Sequence, residues 1–121
     1  MTSKLLTPSL KKELKEFPLY SQDGKGVDAK CICVFYIGNI KWFVLEGQPE
    51  GNDFTFYSIV VGLCETEYGY ASLKEMESIK IKTGNSQVPF LSIQQDKNFR
   101  PTELGKIRDP RLQAFLAREY K

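Results

Sequence analysis

Four groups of side chains in this sequence have types and spacings that could do chemistry. The first is Cys31 and Cys33. Two residues apart on a strand they would project to one face, and two thiolates could begin a zinc site. Such a site normally needs four soft ligands, whereas the only other cysteine is Cys64 and the chain has no histidine. Space-filling thiols are therefore expected, and no metal. The absence of histidine also removes the usual general base at neutral pH, and with it Ser–His and Cys–His arrangements.

The second group is acidic. Glu46, Glu50 and Asp53 surround one segment and Glu65 and Glu67 begin another, with Asp23 and Asp28 upstream. Converging carboxylates could hold Mg²⁺ or Mn²⁺, or exchange protons with a substrate; dispersed, they are solvated loop charges. The third group is aromatic: Trp42, Phe54, Phe56, Tyr57, Tyr68 and Tyr70. Phe54 and Phe56 share one strand face and Tyr57 takes the other. An exposed cluster could anchor a protein or stack nucleobases, but stacking bases calls for interleaved Lys and Arg, and this stretch is net acidic. Most of these rings are assigned to the core, and Tyr68 and Tyr70 to the surface. The fourth group is basic: Lys11, Lys12 and Lys15 near the start, and Lys106, Arg108, Arg111 and Arg118 near the end, which could hold phosphates.

The elements that must position these groups are legible from local signals. Thr7 caps and Pro8 opens a short helix that Pro18 forbids from continuing, with Leu10, Leu14 and Phe17 on one side. Residues 20–26 read as a turn; Gly24 and Gly26 lack the spacing and the preceding strand of a phosphate-binding loop. Residues 29–37 and 40–46 form a hairpin about Gly38-Asn39, residues 47–53 a loop, and residues 54–63 the longest strand. Residues 65–70 lead as a loop into a helix that Ser72 and Glu75 start as a capping box. Residues 79–82 and 88–93 are further short strands, Pro89 placing the second at an edge. Pro101 and Thr102 open a brief helical turn ending at Gly105, and Asp109-Pro110 starts a last helix with Leu112, Phe115, Leu116 and Tyr120 on its face. The predicted fold is α+β, an antiparallel β-meander packed with short N-terminal, central and C-terminal helices, as one domain over residues 1–121.

Composition agrees. Hydrophobic residues are 41% of the 121, with eight Phe, six Tyr and one Trp, enough for a core without cross-links. No run of about 18 apolar residues could span a membrane, the start lacks a secretory signal, and an odd number of cysteines suits free thiols in a reducing cytoplasm. The net charge of +2 is distributed unevenly, as +2 over residues 1–30, −4 over 31–96 and +4 over 97–121.

The segment LYSQDGKGVDAK at 19–30, FVLEGQPEGNDFTFYSIVVGL at 43–63 and EYGYASLKEMES at 67–78 resembles an uncharacterised family of small bacterial proteins carried by plasmids and conjugative transposons. The resemblance covers about residues 5–100, and the last twenty residues look like this chain's own extension. It transfers no activity; it implies an accessory gene on mobile DNA. The leading expectation is a non-enzymatic module that binds a protein partner through Glu46, Glu50, Glu65, Glu67, Tyr68 and Tyr70, with no cofactor. One alternative is nucleic-acid binding, in which Lys11, Lys12 and Lys15 merge with Arg108, Arg111 and Arg118 on one surface. The other is a small enzyme whose acidic segments share a divalent ion.

Overall fold

The computed structural model describes residues 5–120. In chain order its elements are α1 (Pro8–Leu14), a 3₁₀ turn at Gly26–Asp28, β1 (Lys30–Cys31), β2 (Cys33–Ile37), β3 (Ile40–Glu50), β4 (Asp53–Val61), β5 (Glu67–Ser72) and α2 (Leu73–Ser78). Then follow β6 (Lys80–Lys82), β7 (Phe90–Ser92), β8 (Gln94–Gln95), β9 (Thr102–Glu103), a 3₁₀ turn at Leu104–Lys106 and α3 (Pro110–Glu119). The architecture is the α+β meander predicted, its three strands joined by two more, β5 at one edge and β8 at the other. Five antiparallel strands lie in the order β5-β4-β3-β2-β8, flanked by the small pairs β1-β9 and β6-β7.

Side-chain caps form at the three helix starts expected, with the Ser72 half of the capping box made at α2. The Thr7 side chain accepts from Leu10 N at 3.2 Å, Ser72 from Glu75 N at 3.1 Å, and Asp109 from Arg111 N and Leu112 N at 3.0 and 3.2 Å. Each satisfies N–H groups that a helix cannot satisfy itself.

Alternation along the strands sorts the core into two layers. Cys33, Phe35, Ile37, Trp42, Val44, Phe54 and Phe56 face α1 and α2, meeting Leu10, Leu14 and Met76. Val34, Phe43, Leu45, Ile59 and Val61 face α3, meeting Leu112, Phe115 and Leu116. A helix with a single apolar stripe needs such a surface to pack against, and the sheet supplies one on each side.

Four expectations are corrected. Residues 29–37 are not one strand: the run breaks at Ile32, because β1 pairs with β9 while β2 pairs with β3 and β8. As a result Cys31 and Cys33 do not share a face; they enter opposite core layers. Residues 47–53 are mostly strand, since β3 continues to Glu50, which pairs with Asp53 across a two-residue turn at Gly51-Asn52. Gly51 takes φ 60° there, a conformation that tight hairpins require. Finally, residues 67–72 are not a loop but the edge strand β5, with Tyr70 opposite Tyr57 and Tyr68 opposite Ile59.

The β6–β7 hairpin is an arm lying apart from both core layers. Its ladder is Lys80 with Ser92, Ile81 with Leu91 and Lys82 with Phe90, and every residue from 79 to 91 is exposed.

Candidate functional site: a clamped tyrosine face

Strand β3 outruns its neighbour. β2 ends its pairing at Cys33 with Val44, so the backbone groups of β3 beyond that point need other partners. The segment after α1 supplies them. The Phe17 carbonyl accepts from Gly47 N at 3.0 Å, and the buried Gln22 amide donates to Leu45 O at 2.8 Å and Lys30 O at 2.7 Å while accepting from Lys30 N at 2.6 Å. Gln48 Oε1 takes Leu19 N at 3.1 Å.

Glu46 completes the clamp. A β-bulge between Val44 and Glu46 shifts the register, so the side chains after it change parity and Glu46 turns to the α3 side, opposite Tyr57. It is only 2% exposed. Its Oε1 accepts from Tyr20 N and its Oε2 from Gln22 N, both at 2.8 Å, so each oxygen of the buried carboxylate meets a backbone donor. The carboxylate is therefore a fastening for the loop, and any contact it makes with a partner acts through that loop. Tyr20 is the one non-glycine residue with positive φ among those described, at 75°, a conformation that costs an L-residue roughly 1–2 kcal/mol. The clamp holds it there, with its ring 65% exposed.

Five of the six tyrosines meet on this face. The Tyr57 and Tyr68 rings are parallel, 4° apart in plane with centroids at 5.5 Å; Tyr57 and Tyr70 lie at 4.8 Å and 44°. Tyr68 packs edge-on to Phe115 of α3 at 5.4 Å, and its hydroxyl bonds that of Tyr120. The Tyr120 ring covers Gly26, where an added Cβ would lie 3.4 Å from it. Loop, edge strand and the end of α3 are thus joined through rings.

Burial, with the Glu46, Tyr120 and Asp23 groups nearby, pushes the Tyr57 phenol up. Burial and the bond to Tyr120, with Glu119 adding, push the Tyr68 phenol well up. Hydrogen bonding with Tyr20, then burial, raises Tyr70 to about 12, with Glu46 contributing. The phenols are neutral at physiological pH, and carboxylates set the local potential.

The other expected site residues scatter. Glu50 pairs with Asp53 at one end of the β3–β4 ladder, and Glu67 pairs with Val60 near the other, roughly 23 Å away at about 3.3 Å per residue. Glu65 is exposed just before β5. The acidic segments do not converge, and no group of three or more His, Cys, Asp or Glu among the described residues could hold a metal ion. Asp53 is occupied locally: it accepts from Phe54 N at 2.7 Å and Lys74 N at 3.1 Å, and the Phe54 bond above all lowers its carboxyl pKa. Cys31 and Cys33 are buried and free, and burial pushes both thiols up.

The two basic sets lie on opposite sides of the sheet, because α1 and α3 cover opposite core layers. They form no single surface. Lys11, Lys12 and Lys15 are exposed, as is Arg108, but Arg111 donates to Asn39 O at 2.6 Å. Arg118 stands over the Phe115 ring at 5.4 Å and donates to Thr66 O at 3.4 Å. A cleft of about 780 Å³ flanks α1 on the side away from the tyrosines, lined by Leu6, Pro8, Lys11, Phe54, Leu73 and Lys74 among others.

Of the six residues expected to contact a protein, the structure brings Glu46, Tyr68 and Tyr70 together; Glu67 takes the other face of β5 from its neighbour Tyr68, and Glu50 lies at the far end of the β3–β4 ladder from Glu67. Sequence reasoning missed Tyr20 and Tyr120 as members. For β5 a signal existed, aromatic residues at spacing two in Tyr68 and Tyr70. For Tyr120 the signal was its spacing on the packed face of the last helix, four residues after Leu116; for Tyr20 none existed, because its place depends on the loop clamp. No helix among the described residues is long and apolar enough to cross a membrane.

A family model described as "Protein of unknown function (DUF2958)" matches residues 5–105. No curated protein and no solved structure matches the chain. The matched span contains the clamp and four of the five tyrosines, and stops before α3.

Proposed function

The chain belongs to the DUF2958 family, and from that premise and the geometry above we propose that it is a non-enzymatic accessory protein that binds a protein partner through the tyrosine face. The carrying observation is that the exposed tyrosines stand on a fixed backbone: a buried carboxylate–backbone clamp holds Tyr20, and the β4–β5 ladder holds Tyr57, Tyr68 and Tyr70. Tyrosine supplies large, amphipathic contact area with few torsions to freeze, which is why it is common at binding hot spots. Rings fixed in advance lose less entropy on binding. The divergence of the acids removes the support for a metal-assisted enzyme, and the separation of the basic helices removes the merged phosphate surface. The resemblance to proteins of bacterial plasmids and conjugative transposons supports an accessory role on mobile DNA, and three free thiols suit the cytoplasm.

The test is affinity capture from bacteria carrying such an element, comparing the unaltered protein with Tyr20→Ala/Tyr70→Ala, both confirmed as folded by thermal melts. A partner recovered by the first and lost by the second is the expected result. Identical recoveries from both, or no specific partner from either, would overturn the proposal.

A further inference from the structure

The surroundings of the tyrosine rings also point to what they receive. The Tyr57 and Tyr68 rings are parallel, Tyr70 tilts against Tyr57, and Tyr20 and Tyr70 stand 65% and 57% exposed at the border. Aromatic faces carry negative quadrupole potential that attracts cations. The carboxylates add to it: Glu46 acts on both Tyr57 and Tyr70, Asp23 on Tyr57 and Glu119 on Tyr68. Arg118 on α3 borders the face, and it is already engaged by Phe115 and the Thr66 carbonyl. That engagement is informative, because the Phe115 ring that holds the Arg118 guanidinium itself packs on Tyr68. One cation already sits at the rim of the aromatic cluster.

We infer that the tyrosine face takes an arginine side chain of its protein partner, laid against Tyr57, Tyr70 and Tyr20 with Asp23 beside it. Arginine fits better than lysine for a physical reason. Its guanidinium is planar, stacks on aromatic faces and is more weakly hydrated than an ammonium, whereas the carboxylates here flank rings rather than form a pocket for a point charge. Neutral phenol hydroxyls can accept from the guanidinium N–H groups without repelling them. The inference rests on the reading of this face as a protein-binding surface and gives that surface its chemistry.

The test is an NMR titration of the tyrosine ring resonances with N-acetyl-arginine-N-methylamide. The matching citrulline derivative, nearly isosteric but uncharged, and the lysine derivative serve as comparisons. The arginine probe should give saturable shifts at Tyr20, Tyr57 and Tyr70 and leave Tyr36 still. Citrulline should bind more weakly, and Tyr70→Ala should weaken arginine binding about two- to five-fold, as expected for one exposed cation–π contact. Asp23→Asn, an exposed change that leaves the clamp intact, should weaken it as well. Equal shifts from citrulline would overturn the cationic requirement, equal binding of the lysine probe would overturn the choice of guanidinium, and no saturable shift with arginine would overturn the inference as a whole. If capture of a partner still depends on Tyr20 and Tyr70 while the arginine probe is silent, the protein-binding face stands and only its proposed ligand falls.

Discussion

The tyrosine face and the β6–β7 arm both present apolar surface to solvent, and they are built in opposite ways. On the arm, Ile79, Ile81, Val88, Phe90 and Leu91 are between 37% and 51% exposed, and the ladder beneath them is three residue pairs long. A two-stranded hairpin without a packed face is marginal in water. On the tyrosine face Tyr20 and Tyr70 are exposed to a similar or greater degree, but the Tyr20 loop is fastened from within by Glu46 and Gln22, and Tyr70 stands on a six-pair ladder with β4. Exposure alone therefore does not distinguish a site. Position held in advance does, because it lowers the entropy lost when a partner arrives.

The comparison breaks most sharply at Glu46. Glu46→Ala removes two charge-assisted bonds from a buried place and should cost about 3 kcal/mol, read as a fall in denaturant midpoint. Replacing residues 80–91 by a short Gly-rich turn should cost less than about 1 kcal/mol, since little buried surface goes with them. A reversed order of these two losses would mean that the arm, not the clamp, carries stability.

Hydrogen exchange sharpens the contrast without mutation. Amides of Ile81, Lys82 and Phe90 should open by local unfolding and exchange at least about 100-fold faster than those of Phe43, Val44 and Ile59 in the central strands. Equal protection would show that the arm is covered in solution.

Alkaline pH should act on the tyrosine face and spare the arm, which has no tyrosine. The folded pKa values of Tyr57, Tyr68 and Tyr70 are raised, so the folded state holds these protons more tightly than the unfolded chain does. Their contribution is complete below the unfolded value of about 10 and is lost as pH rises from there through the folded values, near about 12 for Tyr70. Spectrophotometric titration should show these three ionising late, with stability falling over the same range. Three phenols ionising together near 10, with no loss of stability, would contradict the packing described.

The smallest expected change is Tyr20→Gly. Glycine relieves the positive φ while the ring contacts are lost, so stability should move by less than about 1 kcal/mol although partner capture is reduced. A large loss of stability would mean that the Tyr20 ring supports the fold rather than the surface.

How much of this was legible in the sequence follows the range of the forces involved. Thr7-Pro8, Ser72 with Glu75, and Asp109-Pro110 announced their helices because a cap acts over three residues. The turn at Gly38-Asn39 and the opposite facing of Tyr57 to Phe54 and Phe56 were equally local. The break at Ile32 was not, because nothing near it says that β1 will pair with residues 102 and 103. Glu46 stands out in the sequence, but its inward turn does not: that turn depends on a bulge in β3, and its partners Tyr20 and Gln22 lie on a loop more than twenty residues earlier. Edge strand β5 was hidden by Glu67 and Gly69, residues that a half-solvated strand tolerates and a loop also prefers.

The placement of α3 has a further consequence during synthesis. The hairpins joining β2 to β5 close over short turns and can form as soon as their residues appear. The side of the sheet bearing Val34, Phe43, Leu45, Ile59 and Val61 acquires its cover only with Leu112, Phe115 and Leu116. β2 likewise waits for Gln94 and Gln95 to close its open edge. A nascent chain on the ribosome would thus carry a formed sheet with one greasy side bare until its last helix emerges, and that interval is when a chaperone, or another unfinished copy, would meet it.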